Sequence, residues 1–564
     1  MDYKNQIVKD LQVAIGDVLG SEELYNFLEV PKASSHGDFA FPVFSLAKVY
    51  RKAPNMIAEE LIEKLDKTHY ENIVAVGGYI NFFLKKGIVS HEVLTTILTE
   101  KEHYGDAEIG KGGNVPIDMS SPNIAKPMSM GHLRSTVIGN SLAQLSDKLG
   151  YNPIKINYLG DWGTQFGKLI VAFKKWGSEE AVRENPISEL LKLYVQFHDE
   201  AENDSSLEDE GRAWFRKLEE DDAEAVRLWT WFRGESLKEF QKVYDMLGVT
   251  FDSYNGEAFF NDKMEPVIEE LQEKNLLVSD QGADIVSLEK YDLNPALIRK
   301  SDGATLYMTR DLAAANYRHD NYNFVESLYV VGNEQSIHFK QLKAVLKEAG
   351  HDWSDDIKHI PFGLITSGGK KLSTRKGNVI LLEEVLNEAI TATKKGIEEK
   401  NPSLENKDEV AHQVGVGAVI FHDLKNDRMN NFDFSIDELI QFEGETGPYV
   451  QYTRSRCESI LAKADWKVED FKGVAQLDDP DSWEVVKLLN IFPDKIQEAY
   501  RKYEPSVIAK YVIDLAQKFN KYYSKHKILT DDAGRDARLS LVYSVSTVIK
   551  EGLRLLGIEA PDKM

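Results

Sequence analysis

Two short segments of the chain carry residue types that suit phosphate chemistry. The first spans residues 121–132 and ends in Gly131 and His132, directly before apolar residues at helical spacing. Backbone N–H groups at a helix start attract anions, and an imidazole can donate to a phosphate oxygen. The second segment spans residues 367–378 and holds three glycines and four cations. Such a loop suits a triphosphate whose negative charge rises in a transition state.

The elements around these segments predict a parallel sheet. Residues 115–120 alternate apolar side chains as a buried strand, residues 133–149 follow as a helix, and residues 154–157 form a second strand. A strand-like run over residues 360–365 precedes the second segment, and a helical pattern follows it. Ligands bind at the carboxyl ends of parallel strands. Either segment alone is more often an ordinary loop, so the pair carries the argument for a nucleotide site.

Together the two segments resemble the paired ATP-binding signatures of class I aminoacyl-tRNA synthetases, and the residues around them resemble the arginyl-tRNA synthetase family. The matching strings occur in order at residues 121–136, 160–167, 306–311, 329–332, 338–341, 372–377 and 443–449. The resemblance implies that ATP activates L-arginine to arginyl-adenylate with release of pyrophosphate. The arginine is then transferred to the terminal adenosine of tRNA(Arg).

The resemblance also implies a set of residues that act on ATP. The catalytic set would be Lys126, His132, Lys371 and Lys376. The ATP-binding set would be Ser129, Gly131, His132, Ser373 and Arg375. ATP is expected to bring Mg²⁺, without a dedicated metal site on the protein. The chain departs from the general signatures at Ser129, where a histidine is usual, and at Thr374, where a lysine is usual. Lys126 would compensate for the missing lysine.

An arginine substrate needs carboxylates, because a guanidinium is planar, always charged and pairs with a carboxylate through two hydrogen bonds. By resemblance, five residues would bind the amino acid: Asn123, Glu257, Tyr307, Asp311 and Gln335. Asp311 and Tyr307 would meet the guanidinium, and Glu257 would be a second carboxylate. Judged from the residues alone, Asp311 is an acid near a helix start that follows a Thr309 cap. The two roles are compatible.

The chain is expected to form three domains. Residues 1–108 are predicted to be a small α+β domain, residues 109–435 a Rossmann-type α/β domain with an insertion at about 170–300, and residues 436–564 an all-α domain. A glycine-rich stretch over residues 105–114 reads as a linker. The resemblance implies that the first domain contacts the tRNA elbow and the third binds the anticodon. Candidate tRNA contacts are Tyr79, Asn81, Tyr449, Tyr452, Arg456, Tyr523 and Met564.

Composition limits the function classes. The chain has 564 residues, a net charge of −24 and a single cysteine, Cys457, which excludes an internal disulfide. The acidic balance argues against non-specific nucleic-acid binding but not against local basic clusters. Two such clusters are the residues 518–527, with four lysines and one histidine, and the pair Arg454 and Arg456. No apolar run suits a membrane helix. A cytoplasmic protein is expected, and the resemblance implies a monomer.

Three alternatives stay open at this point. Another class I synthetase would need a different pocket, since a glutamate enzyme needs a cation where Asp311 stands and a cysteine enzyme needs thiol ligands. A catalytically inactive synthetase-like tRNA-binding protein is favoured only by Ser129 and Thr374. A function as a small-molecule adenylyltransferase would not account for the helical third domain.

Overall fold

The computed structural model describes residues 2–303, 307–372, 374–375, 378–473 and 475–564, with backbone alone at 370–371, 374–375 and 378–379. The chain divides into two compact units. The first unit comprises Met1–Tyr104, Cys457–Phe492 and Asp514–Val548, and the second comprises Gly105–Arg456, Pro493–Ile513 and Ile549–Met564. No described helix is long and apolar enough to cross a membrane.

The helices are numbered in chain order. They are α1 (Tyr3–Ile15), α2 (Ser21–Phe27), α3 (Ala47–Tyr50), α4 (Pro54–Lys64), α5 (Lys86–Glu100), α6 (Leu133–Lys148), α7 (Thr164–Trp176), α8 (Glu179–Glu184), α9 (Pro186–Ala201), α10 (Ser206–Glu219), α11 (Ala223–Leu247), α12 (Met264–Glu273), α13 (Tyr307–Tyr322), α14 (Ser336–Glu348), α15 (Leu382–Lys400), α16 (Lys407–Leu424), α17 (Ile436–Leu439), α18 (Gly447–Lys463), α19 (Pro480–Asn490), α20 (Phe492–Arg501), α21 (Ser506–Lys525) and α22 (Arg535–Leu555).

The strands are numbered in the same way. They are β1 (Phe39–Pro42), β2 (Tyr70–Val76), β3 (Tyr79–Leu84), β4 (Asn114–Asp118), β5 (Asn152–Ile156), β6 (Leu277–Asp280), β7 (Ala283–Val286), β8 (Ala296–Arg299), β9 (Ser327–Val330), β10 (Ile357–Ile360), β11 (Ile365–Ser367), β12 (Lys370–Lys371), β13 (Thr374–Arg375), β14 (Asn378–Val379) and β15 (Phe432–Asp433).

The second unit is built on a parallel four-stranded sheet of order β10-β9-β4-β5, which confirms the predicted Rossmann-type fold. Val115, Ile117 and Met119 are buried as the alternation predicted. Pro116 and Asp118 are buried as well, as expected of a strand covered on both faces. The strand ends at Asp118 rather than at residue 120, because Ser120 adopts a positive φ of 78° and turns the chain out of the extended conformation.

The structure adds to one local prediction in this unit and corrects another. The predicted linker at residues 105–114 is held against the end of α6, since the N–H groups of Ala107, Gly110 and Gly112 donate to the carbonyls of residues 148–150. The predicted strand over residues 360–365 is two strands, β10 and β11. Pro361 and Gly363 separate them, and a Cβ at Gly363 would lie 2.7 Å from the backbone of Asn430.

The predicted insertion contains helices α7–α12 and a feature that the sequence pattern did not show. Strands β6, β7 and β8 form an antiparallel sheet of their own. A highly charged segment of the insertion forms α10, and α11 begins where the Asp222 carboxylate accepts a hydrogen bond from the Ala225 N–H.

The first unit contains an antiparallel sheet of order β1-β3-β2 with helices, as expected of a small α+β domain. Phe41, Ile80 and Phe82 are fully buried in it. From residue 436 to the end, the described residues form helices and irregular connections without a strand, which confirms the all-α prediction for that part of the chain.

Candidate active site

The backbone brings the two signature segments together. The Met130 N–H donates to the Ile380 carbonyl at 3.0 Å, and the Leu382 N–H donates to the Met128 carbonyl at 3.0 Å. Ser129 and Leu381 form an isolated antiparallel bridge between these two bonds. The residues before His132 therefore lie beside the residues that follow the second segment, although about 250 positions separate them in the chain.

A cavity of about 230 Å³ opens at the carboxyl ends of β4, β9 and β10. This is the edge of a parallel sheet at which ligands are expected. Its described lining is Ser120, Ser121, Met130, Gly131, His132, Arg134, Ser135, Val330, Val331, Gly332, Glu334, Phe362, Gly363, Leu364, Ile365 and Leu372. The lining thus combines the first signature with the ends of three strands and one residue of the second signature.

His132 is held in a defined orientation. It ends a 3-10 turn, Met130–His132, and its Nδ1 accepts a hydrogen bond from the Ser129 N–H at 3.1 Å. With Nδ1 as the acceptor, the ring proton lies on Nε2, which can donate to a ligand. Burial lowers the pKa of His132 below its usual value. A neutral imidazole donor beside the helix start is suited to hydrogen bonding with a phosphate oxygen.

The loop before His132 has an unusual backbone. Ser120, Ser121 and Ala125 all adopt positive φ angles, which non-glycine residues rarely do. The Ala125 N–H donates to the hydroxyl of the buried Ser236 at 3.0 Å, which anchors the loop to α11. Conformations of this kind persist only where the surroundings enforce them, and they cluster at functional sites. The anchor fixes the course of the loop that carries the exposed Lys126.

Asn123 is packed against the loop that follows β5. The Gly160 N–H donates to the Pro122 carbonyl at 3.0 Å, and the Ile124 N–H donates to the Gly160 carbonyl at 3.1 Å. A Cβ at Gly160 would lie 2.0 Å from the Asn123 Oδ1. Glycine is therefore required at position 160 for Asn123 to keep this placement.

Two carboxylates predicted to bind arginine belong to one connected frame. Arg310 donates through Nη1 to the Glu257 backbone carbonyl and to Asn261 Oδ1, the latter at 2.8 Å. This ties the 3-10 turn Glu257–Phe260 to the residue before Asp311. Burial raises the pKa of Glu257 to about 7, Arg310 opposes the shift, and the charges of Asp161 and Asp311 add to it. The negative charge of Asp311 therefore helps to raise the pKa of Glu257. Binding of a cation next to both carboxylates would be stabilised by each of them.

Asp161, which lies in a recognised string but received no role from the sequence, supports the Glu257 turn. Its Oδ1 accepts from the Ala258 N–H at 2.8 Å, and its Oδ2 pairs with Arg233 Nε at 2.9 Å. A Cβ at Gly256 would lie 2.4 Å from the Leu159 carbonyl and 2.8 Å from Asp161 Oδ1. The buried Asp161 side chain and the glycine together set where Glu257 lies. In the sequence, Asp161 stands between Gly160 and Gly163. The spacing of apolar residues, which predicts helices and strands, does not assign a role to such an acid.

Asp311 lies in the second turn of α13 and accepts a hydrogen bond from His338 Nε2 at 2.6 Å. The expected Thr309 cap is wrong, because the helix begins at Tyr307. The Thr309 hydroxyl donates instead to the Ile298 carbonyl at 2.5 Å. Tyr307 is 74% exposed at the first position of the helix. Gln335 is exposed at the end of the 3-10 turn Asn333–Gln335.

The second signature is described in part. Ser373, a predicted ATP ligand, and Lys376, a predicted catalytic residue, lie outside the described residues. Lys371 and Arg375 are described by their backbone in β12 and β13. Leu372 donates its N–H to the Ile365 carbonyl at 2.9 Å and lines the cavity. The second segment therefore reaches, through Leu372, the site that the first segment builds.

Arg134, which the sequence did not single out, links the walls of the cavity. It is 2% exposed and donates through Nη1 to the carbonyls of Gly363 and Asn430 at 3.2 and 3.0 Å. Its Nε lies 3.3 Å from Asp423 Oδ1, and Asp423 is 1% exposed. The guanidinium also stacks over Phe432 with 4.9 Å between Cζ and the ring centre. The start of α6 is thereby joined to the connections on either side of the second signature.

The predicted tRNA contacts of the first unit differ in exposure. Asn81 is 5% exposed within β3, so the structure leaves its side chain little surface for RNA, contrary to the prediction. Tyr79 is half-buried and packs edge-on against Phe44 at 5.5 Å, and Tyr523 is exposed. In the basic cluster of residues 518–527, His526 lies 3.0 Å from the carboxylate of Asp481, which reduces the net positive charge available to RNA.

In the second unit, Tyr452 is exposed and Arg456 lies over its ring at 5.2 Å, while Tyr449 is half-buried. Arg454 was expected to belong to a basic surface, but it is buried and donates to the Ala560 carbonyl and to Asp562, which holds the C-terminal segment. Met564 packs on a cluster of apolar side chains, and its carbonyl accepts from Asn401 Nδ2 at 3.2 Å.

Three family descriptions match the chain in order. "Arginyl tRNA synthetase N terminal domain" matches residues 3–84, "tRNA synthetases class I (R), catalytic domain" matches residues 93–436, and "DALR anticodon binding domain" matches residues 450–564. The catalytic-domain match alone covers more than half of the chain.

Similar proteins match over the whole length. "Arginine--tRNA ligase" from Enterococcus faecalis is 65% identical over 564 residues, and the protein of that name from Latilactobacillus sakei is 63% identical, each with 100% of both chains covered. The solved Thermus thermophilus arginyl-tRNA synthetase has a TM-score of 0.81 at 25% identity and covers 100% of both chains. The Plasmodium falciparum arginyl-tRNA synthetase shares the fold, with a TM-score of 0.82 at 24% identity over 100% of this chain and 99% of that one.

Proposed function

Because this chain belongs to the arginyl-tRNA synthetase family, we propose that its two signature segments bind ATP and that Glu257 and Asp311 bind the guanidinium of L-arginine. The chain is an arginine–tRNA ligase of class I, and the inactive tRNA-binding alternative is not supported by relatives of this identity over the full length. The observation that carries the site proposal is the backbone bridge between the two signatures.

The first chemical step is a displacement at the α-phosphate of ATP. The arginine carboxylate oxygen forms a new bond to phosphorus while the bond to pyrophosphate breaks, so arginyl-adenylate and pyrophosphate result. Positioning and charge stabilisation dominate such a step. His132 donates its Nε2 proton as a hydrogen bond to a phosphate oxygen without losing it, and the Lys126 ammonium adds positive charge from the loop. Lys371 and Lys376 are proposed to act from the second segment.

Mg²⁺ is proposed to enter with ATP. This ion keeps several waters and usually takes only one or two carboxylates beside phosphate oxygens. Among the described residues of the cavity lining, Glu334 is the one carboxylate, with the hydroxyls of Ser120 and Ser121 as further oxygen donors. This donor set fits an ion that is carried mainly by the triphosphate.

We propose that tRNA(Arg) is bound by two parts of the chain, the N-terminal region at the elbow and the helical region after residue 436 at the anticodon. Exposed aromatic rings support stacking on unpaired bases, and Tyr452, with Arg456 over it, and Tyr523 offer such rings. A monomer in the cytoplasm is proposed as well, and the single cysteine is consistent with a reducing compartment.

The proposed function is tested by pyrophosphate exchange into ATP with each of the twenty amino acids, with and without total tRNA. We expect exchange with arginine alone. Members of the family often require bound tRNA for this step, so exchange restricted to tubes with tRNA would assign that dependence to this protein. Exchange with another amino acid would overturn the roles of Glu257 and Asp311.

We expect His132→Ala to lower kcat for pyrophosphate exchange by roughly 100-fold to 1,000-fold, the range for removing one preorganised donor from a transition state. The arginine KM should change little, because the lost donor faces phosphate. His69→Ala removes an exposed histidine from the first unit and serves as the control. A kcat for His132→Ala within a few-fold of wild type would remove His132 from the catalytic set.

Gly160→Ala is expected to raise the arginine KM by about tenfold, because the new Cβ would displace the Asn123 amide that is proposed to hold the substrate's backbone groups. Gly234→Ala is the matched control, since a Cβ there meets no atom within 4 Å. The arginine KM of both variants is measured by steady-state pyrophosphate exchange at saturating ATP. An unchanged arginine KM in Gly160→Ala would show that Asn123 does not contact the substrate.

Arginine binding is expected to weaken as the pH falls through 7. Burial holds the pKa of Glu257 at about 7, so the carboxyl is largely protonated at pH 6 and must ionise to pair with a guanidinium. The arginine KM should therefore rise by about tenfold between pH 8 and pH 6, since the ionised fraction of a carboxyl with a pKa of about 7 falls from about nine-tenths to about one-tenth over this range. Glu257→Gln should bind arginine weakly at every pH. A wild-type arginine KM that is flat over this range would contradict the assignment.

A further inference from the structure

A histidine occupies one side of the carboxylate that is proposed to bind the substrate. His338, the third residue of α14, approaches Asp311 with 2.6 Å between Nε2 and Oδ2. An ionised carboxylate only accepts hydrogen bonds, so Nε2 carries the proton in this pair. Both side chains are partly exposed, which places the pair at a surface that a ligand can reach.

The surroundings of His338 limit its movement. Its ring packs edge-on against Phe339, with 5.3 Å between ring centres, and Phe339 is buried against Tyr329 at 4.9 Å. Tyr329 lies on β9, the central region of the parallel sheet. The imidazole therefore presents its Nε2 from a packed helix end, and it holds Asp311 at a fixed distance from the sheet.

The cations on the same helix as Asp311 are already paired with other groups. Arg318 lies two turns further along α13, on the same face, and already pairs with Asp118 at 2.9 Å. Arg310 is turned away to the Glu257 carbonyl. Glu257 repels the Asp311 carboxylate. Since His338 is bonded to Oδ2, the Asp311 carboxylate keeps Oδ1 for another donor.

We propose that His338 is a positioning residue for arginine recognition: it holds Asp311 through Oδ2 so that the remaining acceptor positions face the substrate guanidinium. This inference rests on the proposed function of Asp311 and goes beyond it. It states that His338, which does not contact the substrate, sets the orientation of the Asp311 carboxylate that recognises arginine. The imidazole donates a hydrogen bond and exchanges no proton in the reaction.

The test compares His338→Ala and His338→Gln in pyrophosphate exchange with total tRNA present. A glutamine amide reaches about as far as Nε2 and can donate to Asp311. We expect His338→Ala to raise the arginine KM by about tenfold with the ATP KM within twofold, because a hydrogen bond to a charged group is lost. His338→Gln should restore the arginine KM to within about threefold of wild type, as the donor is replaced.

A matched control exists on another histidine–carboxylate pair. His351 Nε2 lies 2.6 Å from Glu270 Oε1, the same separation as in the His338–Asp311 pair. His351→Ala should leave the arginine KM unchanged. The inference is overturned if His338→Ala leaves the arginine KM unchanged, or if alanine and glutamine raise the KM values for arginine and ATP equally, as a purely structural role would. If Asp311→Asn also leaves arginine activation intact, the proposed function of Asp311 fails, which separates the two outcomes.

Discussion

Replacing Asp311 with asparagine is expected to lower kcat/KM for arginine activation by about 100-fold, the effect of losing a charge-assisted pair worth roughly 3 kcal/mol. The substrate guanidinium is always charged, and a neutral amide cannot balance it. Asparagine has the same shape as aspartate, and the side chain is partly exposed, so the fold should survive. The loss should appear in the arginine KM and not in the ATP KM.

Asp320→Asn is the matched control for this experiment, because Asp320 lies on the same helix and is exposed. It should leave exchange kinetics unchanged. Thermal unfolding of both variants checks that the fold is intact. Arginine activation by Asp311→Asn within threefold of wild type would mean that Asp311 is only an acid near the start of α13, the alternative that the sequence also allowed.

Arg134→Met is expected to destabilise the protein by about 3–5 kcal/mol, the usual cost of leaving one member of a buried ion pair without its partner. Arg134 and Asp423 are 2% and 1% exposed. Methionine also loses the two hydrogen bonds to the Gly363 and Asn430 carbonyls. ATP binding should weaken in parallel, since Arg134 joins the start of α6 to the connections around the second signature.

The measurement is the shift of the urea unfolding midpoint, followed at pH 8 and pH 6. Burial already raises the pKa of Asp423, while Arg134 lowers it, so removal of Arg134 raises it further. The destabilisation should therefore become smaller as the pH is lowered from 8, because protonation of Asp423 removes the unpaired charge. The double variant Arg134→Met with Asp423→Leu should recover much of the loss. Arg183→Met, at an exposed pair with Glu179, should shift the unfolding midpoint far less. Equal midpoints for wild type and Arg134→Met would refute the role.

Much of the architecture was readable from local patterns. Helix α6 and strand β4 follow from apolar spacing, because one buried face imposes a period of 3.6 or 2 on the residues that form it. The errors came where the backbone departs from these periods. Ser120 turns the end of β4 through a positive φ, and Pro361 and Gly363 split one apolar run into β10 and β11.

Burial was harder to predict than secondary structure. Asn81 was named as an RNA contact by resemblance to the family, and Arg454 as one member of a basic pair. Both are buried by residues distant in the chain. The sequence analysis gave no role to Asp161 or Arg134, because the spacing of apolar residues does not predict the partners of a charged side chain. Their roles depend on partners at positions 233, 258, 363, 423 and 430.

The sequence by itself determined the family, the reaction and the identity of the two signature segments, because these depend on residue types in short, ordered strings. Tertiary structure alone decided how the segments meet through Ser129 and Leu381, and how Asp311 is paired with His338. It also decided that Glu257 has a pKa near neutrality. These properties arise from distances between atoms far apart in the chain and from the exclusion of water, neither of which is encoded by the spacing of neighbouring residues.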